Sequence, residues 1–245
     1  MSPAPYGRVA GPVDQRRLQR AQGVSVPVAS TFPFSPMSLS PAVWLDAADL
    51  STITESSGAV SSWADKSGNG RTVTQATPAA MPTTGANTQN GLNVLTFDGG
   101  DSLLSAAFTQ TQPVQIFAVG RNTSAAGTNR QLIGNDSTTP TIYVDSSTNR
   151  IFAGTVLNSG NATDTVCHSF TATYNGTSST LRKDRVQIAS GNAGTSGYAS
   201  KRLIIGGPST FGWVGEVAEV LLFPLVLSNA NQDRVETYLH NKWGL

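Results

Sequence analysis

The chain has 245 residues, of which only 13% are charged, and its formal net charge is +1. So weak a charge excludes a general electrostatic attraction to nucleic acid or to an anionic membrane. The single cysteine, Cys167, excludes an intrachain disulfide. The sequence has neither an N-terminal apolar segment nor an apolar run of 18 residues, so we expect no signal peptide, no membrane span and synthesis in the cytoplasm.

The first region, residues 1–39, contains 6 of the 13 prolines of the chain. Proline at this density prevents regular ladders and long helices, which predicts an extended arm. Within it, residues 13–22 could form about two helical turns that carry three basic side chains, Arg16, Arg17 and Arg20. These side chains fit either a solvated basic face or a contact with an acidic surface or a phosphate.

The arm then becomes apolar and free of charge up to Phe32 and Phe34. Alternating apolar residues are unusual in a tail that stays in water. We therefore expect this end of the arm to dock on its own domain or on a neighbouring subunit.

From residue 40 onward, short β-branched and aromatic runs alternate with turn residues, which predicts about a dozen strands. The segment 113–121 is apolar on both of its faces, so it should lie in the centre of a sheet. The other main strand segments are 43–46, 60–65, 92–97, 131–134, 141–145, 150–154, 166–174, 179–183, 186–188 and 201–206.

The closing segment, 212–245, changes from a strand pattern to a helix pattern. Its apolar run at 220–227 predicts a strand in the middle of a sheet. Ser228 suits a helix N-cap and Gly244 a helix stop. Between them, one helical face would carry Val235, Tyr238, Leu239 and Trp243. The chain is therefore predicted to be all-β with one C-terminal helix.

Three motifs carry a resemblance to a known family: Trp44-Leu45-Asp46-Ala47, the segment 62–70 (S-W-A-D-K-S-G-N-G), and the ending made of 215–220 and 236–245. Over residues 40–245 the chain resembles the laminin-G-like, concanavalin-A-like jelly-roll modules common in bacteriophage virion proteins and bacterial surface proteins. The resemblance implies two antiparallel sheets packed face to face as a sandwich, here preceded by the extended arm. Members of this fold bind glycans, hydrolyse them or act as structural modules, so the function must be argued from the site.

Two carboxylates, Glu216 and Glu219, are the candidates for glycoside hydrolysis, which needs an acidic pair across the scissile bond. Residues three apart on an extended strand point to opposite faces, so the pair could act together only if a β-bulge intervenes. We therefore expect no enzyme and predict no catalytic residue.

Two isolated histidines, His168 and His240, lack the spaced Asp, Cys or Ser partners of a triad or a zinc site. We expect His240 to pair with Glu236 on the helix surface. Laminin-G-like modules often hold calcium, and the loop carboxylates that could ligate it are Asp98, Asp101, Asp136 and Asp145. Because aspartates are also common turn formers, we predict neither a metal site nor a cofactor.

Aromatic side chains on loops are the usual platform for a glycan. Tyr198 and Phe211 lie in such loops and are the candidate glycan contacts, although a loop tyrosine also fits contact with a neighbouring subunit. The four tryptophans are expected in the core or in helix packing: Trp44, Trp63, Trp213 and Trp243.

The missing signal peptide, the low charge and the apolar arm together predict a non-enzymatic structural protein of a phage virion, anchored through residues 1–39. Capsid decoration is favoured over tail or fibre attachment, because the coiled coil or β-helix repeats of long fibres are absent from the sequence. We expect capsid or tail subunits as partners and a homo-oligomer such as a trimer, without nucleic acid or membrane. The alternative is a carbohydrate-binding module that recognises a host surface glycan.

Overall fold

The computed structural model describes residues 34–124, 129–134, 140–145, 148–162, 164–207 and 210–245. Its strands are β1 (Val43–Asp46), β2 (Ile53–Ser56), β3 (Ala59–Trp63), β4 (Val73–Thr74), β5 (Thr88–Gln89), β6 (Leu92–Asn93), β7 (Leu95–Asp98), β8 (Leu103–Ser105), β9 (Phe108–Gln110), β10 (Val114–Asn122), β11 (Arg130–Gly134), β12 (Thr141–Asp145), β13 (Thr148–Phe152), β14 (Val156–Ala162), β15 (Cys167–Tyr174), β16 (Ser179–Lys183), β17 (Val186–Gly191), β18 (Tyr198–Lys201), β19 (Ile204–Ile205) and β20 (Val214–Phe223). The α-helix α1 spans Asn229–Trp243, and short 3-10 helices span Pro36–Leu39, Leu50–Thr52, Pro78–Ala80 and Gly176–Ser178.

Two antiparallel sheets form a sandwich. The first has the order β1-β20-β10-β15-β16-β17, and β7 pairs with β20 in line with β1. The second has nine strands in the order β14-β13-β12-β11-β19-β8-β4-β3-β2. Two short pairs, β18–β9 and β5–β6, complete the strands of the described residues. The predicted two-sheet antiparallel sandwich with one C-terminal helix is confirmed.

Two apolar cores hold these layers together. The larger core lies between the sheets and includes Trp63, Phe97 and Ile151. The second lies between the outer face of the first sheet and α1, where Trp243 and Leu239 are buried together with Trp44, Phe117, Phe223 and others. Because both faces of the first sheet are covered, its middle strands are apolar on both sides. The predicted central position of 113–121 is confirmed, since β10 lies between β20 and β15.

The ends of α1 follow the predicted caps. The Ser228 hydroxyl accepts a hydrogen bond from the Asn231 amide at 3.3 Å. Gly244 adopts a left-handed conformation with φ 67° and donates its amide to the His240 carbonyl. The predicted buried stripe is also correct, with Val235, Leu239 and Trp243 buried. No helix in the described ranges is both long and apolar enough to span a membrane.

One buried carboxylate joins the last strand to the helix. Glu219 is fully buried, and one of its oxygens accepts hydrogen bonds from Trp44 Nε1 at 2.7 Å and Tyr238 Oη at 2.9 Å. The other oxygen accepts from Lys242 Nζ and Trp243 Nε1, each at 2.8 Å. Burial raises the pKa of Glu219, against the opposing charge of Lys242. Four donors therefore keep this carboxylate in place between sheet and helix.

The first two sequence motifs extend this network. Asp46 accepts from Lys242 Nζ at 2.6 Å and from Lys66 Nζ at 3.0 Å. Asp65 accepts from the Trp44 amide at 3.0 Å and from the amide and hydroxyl of Ser67. The residues that carry the family resemblance thus connect the first strand, the following turn and the helix.

Candidate functional site

The two glutamates of the last strand lie on the same side of the sheet, which corrects the sequence expectation. Val119 lies opposite Glu219 but Gly120 lies opposite Val217, so β20 contains an extra residue. This β-bulge turns Ala218 and Glu219 together toward α1. Glu216, on the same side, binds Arg121 Nε and Nη2, each at 2.6 Å. Both carboxylates are therefore engaged by cationic or N–H donors of the scaffold.

Tyr198 is not the exposed loop aromatic that the sequence predicted. It begins β18, is fully buried, stacks on Phe108 with 5.0 Å between the ring centroids, and donates its hydroxyl to the Pro140 carbonyl. Burial raises the pKa of its hydroxyl above the usual range. The prediction is wrong because the Gly/Ser-rich loop ends one residue earlier and the ring packs inward.

Phe211, the second candidate glycan contact, has 41% of its surface exposed. Its carbonyl accepts a hydrogen bond from the Gln131 amide at 2.8 Å. Gln131 in turn lies opposite Tyr143 across β11 and β12. Phe211 is therefore placed beside the paired strands β11 and β12 of the nine-stranded sheet.

Of the predicted arm residues, Arg16, Arg17, Arg20 and Phe32 lie outside the described residues. Phe34 is described and packs on the helix. Its ring lies 6.0 Å from the Tyr238 ring in an edge-on arrangement, and the Arg234 guanidinium lies 4.7 Å from its centroid. Phe34 thus contacts the side of the sandwich that α1 covers, and docking of the rest of the arm on its own domain or on a neighbouring subunit stays a prediction.

The histidines have partners that the sequence pattern does not connect. His168 lies between Asp164 and Asp184, and each of its ring nitrogens is 2.6 Å from one carboxylate. The expectation that it lacks aspartate partners is therefore wrong. His240 contacts the Ser169 hydroxyl at 2.8 Å.

The predicted pair of His240 with Glu236 is also wrong. Glu236 is buried and binds Arg182 Nε at 2.8 Å and the Thr171 hydroxyl at 2.9 Å. Glu236 lies on the same face of α1 as the buried apolar residues. Because this face packs against the sheet, the Glu236 carboxylate points toward the sheet.

Of the candidate calcium ligands, Asp98 and Asp101 share one turn, whereas Asp145 ends β12. Asp98 and Asp101 accept backbone amides of their own turn, from Gly100 at 2.7 Å and from Asp98 at 2.9 Å, respectively. Asp145 pairs with Arg150, and Asp136 lies outside the described residues. Within the described part of the chain, no group of three or more acidic, His or Cys side chains could hold a metal ion.

The outer side of β12, β13 and β14 presents a surface that the sequence pattern alone did not single out. Ile142, Val144 and Ile151 point to the inter-sheet core, so the alternating residues point outward. We call these outward residues the β12–β14 face: Thr141, Tyr143, Asp145, Thr148, Arg150, Phe152, Val156 and Asn158. Val156 has 47% of its surface exposed, and Tyr143, Arg150 and Phe152 are partly exposed.

The strand register places two aromatic rings of this face next to each other. Tyr143 lies opposite Arg150, which lies opposite Asn158. Phe152 lies two residues beyond Arg150, so Tyr143 and Phe152 are diagonal neighbours on one surface, about 7–8 Å apart at the backbone. Val156 lies opposite Phe152 and extends the apolar area.

Polar groups surround these rings. The Arg150 guanidinium pairs with Asp145 and donates to the Thr148 hydroxyl at 3.2 Å. Burial raises the pKa of the Tyr143 hydroxyl, although its hydrogen bond to Arg150 acts in the opposite direction. The face therefore combines aromatic surface with a fixed guanidinium, a carboxylate and an amide, which is the chemistry that binds polyhydroxylated ligands.

No protein-family model and no curated protein match this chain. Solved structures do match. They include Trypanosoma rangeli sialidase in complex with the inhibitor DANA, with a TM-score of 0.56 and 14% identity. That match covers 79% of this chain, which spans only 32% of the sialidase.

Two further matches are smaller proteins or domains. One is domain 4 of AbnA, a GH43 extracellular arabinanase from Geobacillus stearothermophilus, in complex with arabinotriose, with a TM-score of 0.53, 8% identity and coverage of 75% of this chain and 91% of the domain. The other is the binding domain of botulinum neurotoxin DC in complex with SialylT, with a TM-score of 0.58 and 11% identity. That match covers 83% of this chain and 52% of the neurotoxin chain. At these identities the likeness shows a common fold.

Proposed function

We propose that this protein is a carbohydrate-binding module that holds a glycan on the β12–β14 face without chemical turnover. The observation that carries the proposal is the diagonal pair of Tyr143 and Phe152 on one outward surface of the sheet. Aromatic faces stack on the apolar C–H side of a sugar ring and bury large apolar areas. The similar domains solved with arabinotriose and with SialylT support a glycan as the ligand.

The polar groups of the face support a sugar whose hydroxyls both donate and accept. Arg150 is paired with Asp145, so the centre of the face has no net charge. Asn158 and Arg150 add donors beside the rings, and Asp145 adds acceptors. A neutral saccharide unit therefore fits the centre, with Phe211 placed to extend the contact past Gln131.

A glycan array tests this proposal. The full chain should give a signal that is lost in the double variant Tyr143→Ala, Phe152→Ala, because both stacking surfaces are removed. For the best array ligand, each single variant should weaken binding at least about tenfold, which corresponds to about 1.4 kcal/mol. Phe34→Ala is the matched control, since this ring lies on the helix side, and it should bind like the wild type. Binding that survives the double variant would contradict the assignment of the face.

We also propose that the module is carried on a phage particle, attached through residues 1–39. The position of Phe34 supports this arrangement: it packs against α1, on the side of the sandwich opposite the nine-stranded sheet. An attachment that starts there leaves the β12–β14 face accessible. The low charge and the apolar sequence before Phe34 are the further support.

Deletion of residues 1–33 tests the attachment and keeps Phe34 on the helix. The truncated protein should fold and bind glycan as before but should fail to join particles, as judged by its occupancy in purified virions. Incorporation at the wild-type level would contradict the attachment role, and loss of glycan binding would contradict the separation of the two functions.

A further inference from the structure

A charged cluster lies at the end of the sandwich where β15 begins. His168 Nδ1 is 2.6 Å from an Asp184 oxygen, and His168 Nε2 is 2.6 Å from an Asp164 oxygen. Asp184 lies in the turn between β16 and β17, where its second oxygen accepts the Ser169 amide at 3.0 Å. Asp164 belongs to the connection before β15, where it accepts the Val166 amide at 2.9 Å. One imidazole thus joins two separate segments of the chain.

This geometry requires a charged imidazole. A neutral histidine has one N–H and one lone pair, so it can donate to only one of the two carboxylates. At 2.6 Å, an unprotonated ring nitrogen would place its lone pair against a carboxylate oxygen. Only the imidazolium, with two N–H donors, satisfies both contacts, and charge-assisted hydrogen bonds of this length are the strong ones.

The surroundings of His168 contain few other charges. A small cavity beside it is lined by His168 itself, by Asp164, Val166 and Lys183, and by six residues that are not ionisable: Gly120, Asn122, Val144, Asn149, Phe170 and Trp213. The charged groups that face the ring among the described residues are Asp164, Asp184 and Lys183, and Lys183 also binds Asp164 at 3.2 Å. On the other side, Arg121 is paired with Glu216, and burial raises the pKa of the Cys167 thiol to about 12.

The segment held by His168 borders a cleft of about 440 Å³. The cleft is lined by Thr165 and Val166 from this segment and by Gln89, Arg121, Cys167 and His168. Val166 has 61% of its surface exposed, so little besides the hydrogen bonds of Asp164 holds the segment against the sheet. A change at His168 would therefore act directly on the wall of the cleft.

We propose that His168 is a pH-sensitive clasp: its imidazolium holds segment 164–166 against the end of the sheet, and loss of its proton releases that segment and widens the cleft. Asp184 keeps its contact, because the tight turn and the Ser169 amide fix its position. The remaining proton then stays on Nδ1, and Nε2 turns its lone pair to Asp164. Repulsion between this lone pair and the Asp164 oxygen opens the segment on that side, against the remaining ion pair of Asp164 with Lys183 at 3.2 Å.

The direction of the pKa shifts gives the pH window. Burial lowers the pKa of His168, but the hydrogen bonds to Asp184 and Asp164 outweigh it and raise the pKa above the usual 6.5. Despite burial, the bonds from Val166, His168 and Lys183 lower the pKa of Asp164 to about 2. A raised histidine pKa contributes stability that is complete below 6.5 and is lost as the pH rises through the raised value. The clasp is closed below pH 6.5 and opens as the pH rises through the raised pKa of His168.

Two measurements on the full chain test the clasp. Nitrogen-15 shifts of the His168 ring should show both nitrogens protonated below pH 6.5, with a pKa above 6.5 that falls in Asp164→Asn. In hydrogen exchange, corrected for the intrinsic rate at each pH, protection of the Val166 amide should fall at least about tenfold between pH 6 and pH 9. His168→Gln should be poorly protected and show no pH step, whereas the control His240→Gln should keep the step.

A His168 ring that is neutral below pH 6.5 would overturn the proposal without any variant, even if His168→Gln fails to fold. Protection of Val166 that stays constant between pH 6 and pH 9 would also overturn it, as would a pH step that disappears in His240→Gln. Neither result depends on glycan binding, so this test is separate from that of the β12–β14 face.

Discussion

At the scale of single residues, the molecule depends on buried charges that are paired across elements. Lys242 neutralises both Asp46 and Glu219, which are themselves buried. Replacement of one member of such a group lowers the folding stability by more than the ion pair itself contributes, because the partner charges stay buried without compensation. These residues belong to the motifs that carry the family resemblance, so the motifs report on folding rather than on ligand binding.

We expect Lys242→Met to lower the free energy of unfolding by about 3 kcal/mol, since two carboxylates lose their common cation. Urea denaturation followed by tryptophan fluorescence measures this loss. The matched control Lys201→Met, on a partly exposed lysine for which the described residues supply no ion pair, should change stability by less than about 0.5 kcal/mol. Equal effects of the two substitutions would show that the Lys242 network adds nothing to stability.

Asp101 gives a second prediction at this scale. Burial raises the pKa of this carboxyl to about 6, although the Asp98 amide opposes the shift. The native state therefore holds a proton that the unfolded state has lost between about pH 4 and pH 6, so this group lowers stability as the pH rises through that range. Asp101→Asn removes the titration. The difference in unfolding free energy between variant and wild type should move in favour of the variant from pH 4 to pH 6 and then stay constant, whereas a pH-independent difference would contradict the raised pKa.

At the scale of elements, alternation predicted most strands because each inward residue is apolar and each outward residue is polar, as in β12. It missed β14, because residues 158–161 are polar or glycine and show no apolar alternation; this strand is held by pairing with β13. It also could not place the β-bulge in β20, because the extra residue, Ala218, follows another apolar residue, Val217, and the pattern does not show that the two occupy one position of the pairing. This bulge is why the predicted positions of Glu216 and Glu219 were wrong.

The same limits apply to the candidate site. Tyr143 and Phe152 lie at outward positions of strands that the sequence predicts, so their faces could be assigned from alternation. Their neighbourhood depends on the register between β12 and β13, which the sequence does not state. Likewise, only the pairing of β15 with β16 brings Asp184 to His168.

The helix cap gives a prediction at the element scale. Ser228→Ala removes the acceptor for the Asn231 amide and should lower stability by about 1 kcal/mol. Ser228→Asp should restore most of the loss, since aspartate is an equally good N-cap. Thermal unfolding of the three proteins measures the difference. If alanine and aspartate behave alike, the cap does not contribute.

At the scale of the whole molecule, the two faces of the sandwich differ in what covers them. The helix and its apolar core close the first sheet, and Phe34 adds to that side. The nine-stranded sheet presents the β12–β14 face, with aromatic and hydrogen-bonding side chains outward. We propose that the helix side serves attachment and the sheet side serves recognition, with the His168 clasp at the end between the sheets.

The most direct test of the central proposal is a chemical-shift map of the protein titrated with its best glycan-array ligand. The largest backbone amide shifts should fall on β12, β13 and β14, centred on Tyr143, Arg150 and Phe152. The shifts should saturate with a single Kd, and the substitution Tyr143→Ala should raise that Kd. Largest shifts at the cleft beside His168, or on the helix side, would contradict the assignment of the β12–β14 face as the glycan site.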